Sequence, residues 1–254
     1  MYISSRMKLQ LRTLCYTSPL IRTILKTLSR RVVLKRRLPK EFGHSPLFVS
    51  PESALGFWRF DISKVDPFLL SMVRELVRPG ISVWDIGANV GLFAFAAASV
   101  GATVVAVEPD TWLSSLLLRS TLMNGLPVTV ISAAVSDSQG LSKLYFSDDG
   151  RSSNSLIGDG SSQTVLTITL DWLLSYFSAP QVLKIDVEGL EYSVLKGGER
   201  VLQSLPTIVA EVTQNHEQIG ALLEQAGYEF FAARDTERQP LRRLARDTLA
   251  RPRK

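Results

Sequence analysis

From Ile81 onward, short apolar runs alternate with longer segments whose apolar residues recur at helical spacing. The runs "ISVWDIG", "TVVAVEP", "VTVISAAVS", "VLKID", "PTIVAEV" and "YEFFAA" predict strands. Between them, "NVGLFAFAAASVG", "DTWLSSLLLRSTLMNG", "LEYSVLKGGERVLQSL" and "NHEQIGALLEQAG" predict helices, the first two closed by Gly101 and by Asn124–Gly125. This βαβαβ order predicts an α/β fold, a doubly wound and mostly parallel sheet with helices on both faces. Upstream, "DPFLLSMVRELVRPG" predicts a helix with Asp66 as N-cap, Pro67 in its first turn and Gly80 at its stop. The segment "QGLSKLYFSDDGRSSNSLIGDGSSQTVLTITL" interrupts the alternation: strands Ser142–Phe146 and Val165–Thr169 flank a Gly/Ser/Asp loop, and "DWLLSYFS" follows as a short helix. In "PLIRTILKTLSRRVVLKRR", Ile21, Leu25, Leu28 and Val32 keep helical spacing while Arg22, Lys26 and Arg30 fall on other faces. The expected organisation is a basic helical extension over 1–40, an irregular lead-in or edge hairpin over 41–65, the main domain over 66–233 and an Arg-rich tail over 234–254 in which "DTLARP" forms a last edge strand.

Composition narrows the function classes. The 254 residues are 45% hydrophobic, enough for one large core. No run of about eighteen apolar residues occurs, so a membrane span is not expected. Residues 1–20 lack an uninterrupted apolar segment followed by a cleavage site, so a cleaved signal peptide is not expected either. Cys15 is the only cysteine, which excludes an intrachain disulfide and fits a reducing, cytoplasmic setting. The formal charge of +5 divides sharply: 1–40 carry 11 basic residues and no acid, 41–233 carry a net −11, and 234–254 carry a net +5. No basic stripe covers the central region, which disfavours nucleic-acid binding there. The basic amphipathic segment has two readings, packing of its apolar face on the domain or peripheral contact with an anionic membrane.

"VWDIGANVG" (Val83–Gly91) sits at the first strand-to-helix turn, where open α/β sheets bind ligands beyond the carboxyl ends of their strands. Counted from Gly87, the second and third glycines of a dinucleotide G-x-G-x-x-G would be Asn89 and Leu92, so that pattern fails, and no P-loop occurs. A dehydrogenase is disfavoured accordingly. The remaining pattern is D-x-G-x-N-x-G, with Asp85 at the strand end. Glu108 ends the next strand, 17 residues after Gly91, where a carboxylate can accept hydrogen bonds from ribose hydroxyls. Two acids at neighbouring strand tips suit an adenosine compound that is cationic at its other end, the shape of S-adenosylmethionine.

"WDIGANVGLFAFAAA", "VVAVEPD", "SAAVSD", "TLDWLL", "LKIDVEGLEYSVLKGG" and "IVAEV" follow in the order and approximate spacing of the FkbM-type S-adenosylmethionine-dependent methyltransferases, which the chain resembles from about Asp61 to Phe231. The resemblance implies the seven-stranded, Rossmann-like methyltransferase sheet with a final antiparallel strand. It implies O-methylation of a hydroxyl on a sugar, glycolipid or polyketide-like secondary metabolite. It also implies that Asp85, Gly87, Ala88, Asn89 and Gly91 surround the methionine and ribose portions, Glu108 the ribose hydroxyls, and Pro109, Ala133 and Ala134 the ribose and adenine. Asp186 would then stand at the transfer centre.

"KIDVEG" (Lys184–Gly189) raises the question of the base. In an extended chain Lys184, Asp186 and Glu188 share one face, and charges in that position are expected to open into a ligand crevice. Methyl transfer to an alcohol needs an aligned nucleophile and an acceptor for its proton. Asp186 is the first candidate, Glu188 the second and Glu211 the third; Lys184 is expected to pair with one of them and keep it ionised. Acids near a helix N-terminus are also favoured by its dipole, a reading that accounts for Glu191 and competes with the base role for Glu188. A divalent metal on Asp186, Glu188 and Glu211 is conceivable in chemistry but not favoured, and His44 and His216 show no ligand spacing. His216 is a further base candidate, and "DGRSSNSL" (Asp149–Leu156) a candidate cover for the site. The competing function classes are a catalytically silent methyltransferase-like binding module and a peripheral membrane protein acting through 1–40. The sequence carries no signal for oligomeric state or for the acceptor's identity.

Overall fold

The computed structural model describes residues 24–25, 27–147 and 150–253. The part of the predicted N-terminal helix over 1–23 therefore lies outside the described residues. Residues 24–25 and 27–29 are helical, but the helix does not run through "VVLKRR" as its spacing predicts. Arg31 takes a left-handed φ of 58°, which ends it. The chain then enters strand β1 (Leu34–Arg37), which pairs antiparallel with β2 (Pro46–Val49) in a hairpin separate from the main sheet.

Helix α1 (Pro67–Leu76) starts as expected, with Asp66 Oδ1 accepting the Leu69 N–H at 3.0 Å and Pro67 in the first position. The sheet begins with β3 (Ser82–Ile86), followed by α2 (Leu92–Val100), β4 (Thr103–Val107), α3 (Thr111–Asn124) and β5 (Val128–Ile131). The single strand expected in "VTVISAAVS" is two: β5 stays in the main sheet, and β6 (Ala134–Val135) joins a second sheet with β7 (Gly140–Tyr145) and β8 (Ser162–Ile168). After α4 (Leu170–Leu173) and β9 (Val182–Ile185), the helix expected through the glycine pair is also two, α5 (Glu191–Lys196) and α6 (Glu199–Gln203). They meet at the Gly197–Gly198 pair, a poor helix former, and a Cβ on Gly197 would lie 2.3 Å from the Ser136 carbonyl oxygen, so only glycine lets the two backbones touch there. Then come β10 (Thr207–Glu211), α7 (His216–Gln225), β11 (Tyr228–Ala232), β12 (Pro240–Leu241) and β13 (Asp247–Pro252).

The main sheet has the order β12-β11-β13-β10-β9-β3-β4-β5. Its central strands are parallel, and β13 runs antiparallel to both β10 and β11. "DTLARP" is thus an interior strand rather than the expected edge, and the two-residue β12 is the addition that takes seven strands to eight. Alternating side chains feed two cores: Val83 and Val104 join α1, α2 and the hairpin on one face, Trp84 and Val105 join the later helices on the other.

Candidate active site

Four adjacent strands, β10, β9, β3 and β4, end on the same side of the sheet. Beyond their carboxyl ends lies a cavity of about 310 Å³. Glu211 closes β10, Asp186 follows β9, Gly87 follows β3 and Glu108 follows β4, and all four line the cavity. So do Ala88, Asn89, Pro109, Ala133, Ala134 and Glu188.

The glycine turn is shaped by close approach. Gly87 has φ 75°, and a Cβ there would sit 1.8 Å from the Asp186 carbonyl oxygen. Only glycine lets the ends of β3 and β9 come this near. Asn89 follows in the left-handed region at φ 52°. Its N–H donates to Glu108 Oε2 at 2.8 Å, while the Asp110 N–H donates to Oε1 at 2.9 Å. Glu108 thereby joins the turn to the second strand tip. Burial pushes its carboxyl up to about 7, against those two donors.

Two expected cofactor residues do not line the cavity. Gly91, at φ 87°, serves packing: a Cβ there would lie 2.5 Å from Leu117 Cδ2, so glycine lets α2 start against α3. Asp85 is fully buried beneath the turn, where its Oδ1 stands 3.0 Å from Lys184 Nζ. The cross-strand register sets Asp85 directly beside Lys184. Lys184 also donates to the Gly87 carbonyl oxygen at 2.8 Å and approaches Asp186 Oδ2 at 3.5 Å. Burial opposes the Lys184 charge, but Asp85 and Asp186 outweigh it and hold the ammonium above its usual range. Lys184 therefore pairs mainly with Asp85, not with the acids of its own strand alone.

The shared face expected for Lys184, Asp186 and Glu188 breaks down after Ile185, where the strand ends. Glu188 has a left-handed φ of 52°, and Val187 lines the cavity as well. Burial, then repulsion from Asp186, Glu211 and Glu191, raises the Glu188 carboxyl to about 7. Glu191 Oε1 accepts the Gly189 N–H at 3.0 Å, and burial raises this carboxyl too. Glu211 pairs with Arg246 Nε at 2.9 Å. His216 is exposed at the start of α7 and lines no part of this cavity, and His44 lies in the hairpin against the Leu38 carbonyl oxygen. Among the described residues, no group of three acids, histidines or cysteines could hold a metal ion.

The Gly/Ser/Asp insertion contributes Arg151, Asn154 and Ser155 to the cavity wall. Arg151 donates to Glu52 Oε1 at 2.9 Å and to Asp110 Oδ2 at 2.7 Å, and Asn154 Nδ2 donates to the same Asp110 oxygen at 2.8 Å. Ser155 Oγ donates to the Glu188 carbonyl oxygen at 3.0 Å. Asp110 also caps α3 through Oδ1, which accepts the Trp112 N–H at 2.8 Å. Sequence reasoning named Arg151 only within the candidate cover "DGRSSNSL" and gave Asp110 no role; the acid at the α3 start was the available signal, but its partners lie about forty residues on. Phe57, Asp66 and Leu69, from the lead-in and α1, line the cavity and were also missed.

A parallel sheet with an antiparallel strand, β13, inserted beside its last parallel member β11 and the short antiparallel β12 at its edge, carrying a glycine turn and acids at adjacent tips, has the Rossmann-like methyltransferase architecture. The FkbM methyltransferase domain matches residues 85–231, more than half of the sequence, and the chain belongs to that family. The hexuronic acid methyltransferase AglP of Haloferax volcanii is 28% identical over 165 residues, covering 63% of this chain and 68% of AglP. Two solved structures are also similar in fold. The T. thermophilus 16S rRNA N2 G1207 methyltransferase, in complex with AdoMet and guanosine, has a TM-score of 0.49 at 15% identity, over 88% of this chain and 50% of that one. Precorrin-6y C5,15-methyltransferase from Geobacter metallireducens has a TM-score of 0.44 at 15% identity, over 74% and 85% of the two chains.

Proposed function

We propose that this methyltransferase uses S-adenosylmethionine to methylate a hydroxyl oxygen on a carbohydrate, glycolipid or related metabolite. The observation that carries the reading is the convergence of Gly87, Glu108, Asp186 and Glu211, from four neighbouring strand ends, on one cavity. The residues fit the cofactor. Glu108 keeps free lone pairs on both oxygens for ribose hydroxyls, since each accepts one backbone N–H. The backbone at Gly87, Ala88 and Asn89 is open to the methionine portion, and Pro109, Ala133 and Ala134 offer the apolar wall an adenine needs. Asp186, Glu188 and Glu211 give this end of the cavity an acidic character that suits a sulfonium.

The bound cofactor supplies a methyl group already activated on a positively charged sulfur. The protein's part is to orient the acceptor, exclude water and take up the hydroxyl proton. Asp186 is the assigned base. Lys184 holds its Oδ2 side at 3.5 Å, and its side chain keeps 33% exposure toward the cavity. Glu188 and Glu211 are the next acceptors in line. The carbohydrate class of the acceptor is supported by the name of the archaeal relative, a hexuronic acid methyltransferase.

The test pairs binding with turnover. Calorimetry should show S-adenosylhomocysteine binding to the wild type and to Asp186→Asn. With a hexuronate-containing glycan pool as acceptor, conversion of S-adenosylmethionine to S-adenosylhomocysteine should fall by about 10²–10⁴-fold in Asp186→Asn. Absence of binding in the wild type would remove the cofactor assignment. Tight binding with no turnover on any carbohydrate fraction would point instead to a binding module.

A further inference from the structure

On the far side of the lead-in segment, an open groove of about 650 Å³ runs between β1 and Phe60–Ile62. Its floor is apolar, formed by the buried Leu38 and Ile62. Its walls carry Lys35, Arg36, Arg37 and Lys40. Phe60 stands at the rim, 90% exposed, the most exposed large apolar side chain among the described residues.

The cations differ in what they do. Arg36 spends its guanidinium on the carbonyls of Arg59, at 2.8 Å, and Lys35, and lies 5.0 Å from the Phe60 ring centroid. It fixes the rim. Arg37 donates to the His44 carbonyl oxygen at 3.2 Å. The ammonium groups of Lys35 and Lys40 are exposed and make no hydrogen bond or ion pair among the described residues. Nearby acids are already committed: Asp61 pairs with Lys64 at 3.1 Å, and Glu41 pairs with Arg74. The groove therefore presents uncompensated positive charge around an exposed aromatic ring.

We propose that this groove and Phe60 form a docking surface for an anionic lipid bilayer. Cations hold phosphate headgroups by long-range attraction, and an exposed aromatic inserts at the headgroup–acyl boundary, where its burial no longer orders water. A soluble polyanion without rings would use the charge but not the exposed ring, and a nucleic acid, which could stack on it, is the rival that the test below includes. The placement relative to the catalytic cavity supports a membrane: Phe57 and Val65 of the same lead-in line that cavity, while Phe60, Asp61 and Ile62 line the groove. One short segment thus separates the docking face from the site that receives an acceptor. This inference does not depend on the cofactor assignment.

The experiment is co-sedimentation of the full chain with vesicles of phosphatidylcholine containing one third phosphatidylglycerol, against pure phosphatidylcholine, at low and physiological salt. Wild type should pellet with the anionic vesicles only. Lys35→Glu combined with Lys40→Glu should weaken partitioning by roughly five-fold or more per charge altered. Phe60→Ser should leave low-salt binding partly intact but abolish binding at physiological salt, where charge alone is screened. All three positions are exposed, so unchanged melting curves are the folding control. No wild-type partitioning at low salt, or variants that partition like wild type, would overturn the proposal. So would Phe60→Ser binding unchanged at both salts while single-stranded RNA displaces the vesicles, because the groove would then be a polyanion site.

Discussion

Replacing Glu108 by Gln separates the electrostatic cost of this carboxylate from its use. The side chain is buried, and burial raises it from the usual 4.5 to about 7. Between those two values the unfolded chain has released the proton and the folded protein retains it. The folded state then binds more protons than the unfolded state, so apo-protein stability falls as pH rises. The loss begins near 4.5 and is complete above about 7. Over about 2.5 pH units, at about 1.4 kcal/mol each, it amounts to about 3.5 kcal/mol. Gln carries no charge and removes this slope. It also sets an NH₂ against one of the backbone donors, Asn89 or Asp110, for a pH-independent cost of about 1–3 kcal/mol. Urea unfolding of both apo-proteins at pH 5 and pH 8 reads the difference. Glu188, raised to about 7 by burial and its acidic neighbours, adds a slope of the same sign to both proteins and cancels. The variant should be the less stable protein at pH 5 and match or exceed wild type at pH 8. Unfolding free energies that stay parallel across this range would refute the reasoning. The variant should also lose S-adenosylhomocysteine affinity. Wild-type affinity should climb up to about ten-fold per pH unit toward 7 and then level, since the ionised carboxylate is the better ribose acceptor.

Two further substitutions test the architecture beneath the site. Asp85→Ala leaves the Lys184 ammonium buried without its 3.0 Å partner, and urea unfolding should register a loss of about 3–5 kcal/mol. Adding Lys184→Met should recover a large part of that loss, and a double variant no more stable than Asp85→Ala would show that the pair is not the cause. Gly87→Ala and Gly125→Ala both place a side chain in left-handed backbone, yet only the first meets an oxygen 1.8 Å away; nothing lies within 4 Å of the second. Thermal melts should show Gly125→Ala losing about 1 kcal/mol and Gly87→Ala losing several, and equal losses would contradict the close approach of β3 and β9.

The order of elements and the strand-tip acids were legible because each is a local property. A run such as "TVVAVEP" carries its own apolar length and its own terminal acid, and β4 and Glu108 stand where that run predicts them. The misreadings share a different origin. Asp85 and Glu108 both end apolar strands, and nothing within either strand tells that one faces the cavity and the other a buried lysine. That distinction is set by the register that places Asp85 opposite Lys184, 99 positions on, a pairing no one-dimensional spacing encodes. The same holds for the contact of Gly197 with the Ser136 carbonyl, and for "DTLARP", which lies between β10 and β11. "KIDVEG" joins the two kinds of information. Its charges do mark the site, as its local pattern implies, but they divide their work by tertiary position. Lys184 turns to Asp85 and the Gly87 carbonyl below, fixing the glycine turn, while Asp186 and Glu188 remain on the cavity wall. The lysine therefore couples two motifs that lie far apart in sequence. A change at either of its buried contacts should disturb the glycine turn and Asp186 together, which explains why a cation sits inside a parallel sheet where an apolar residue would cost less.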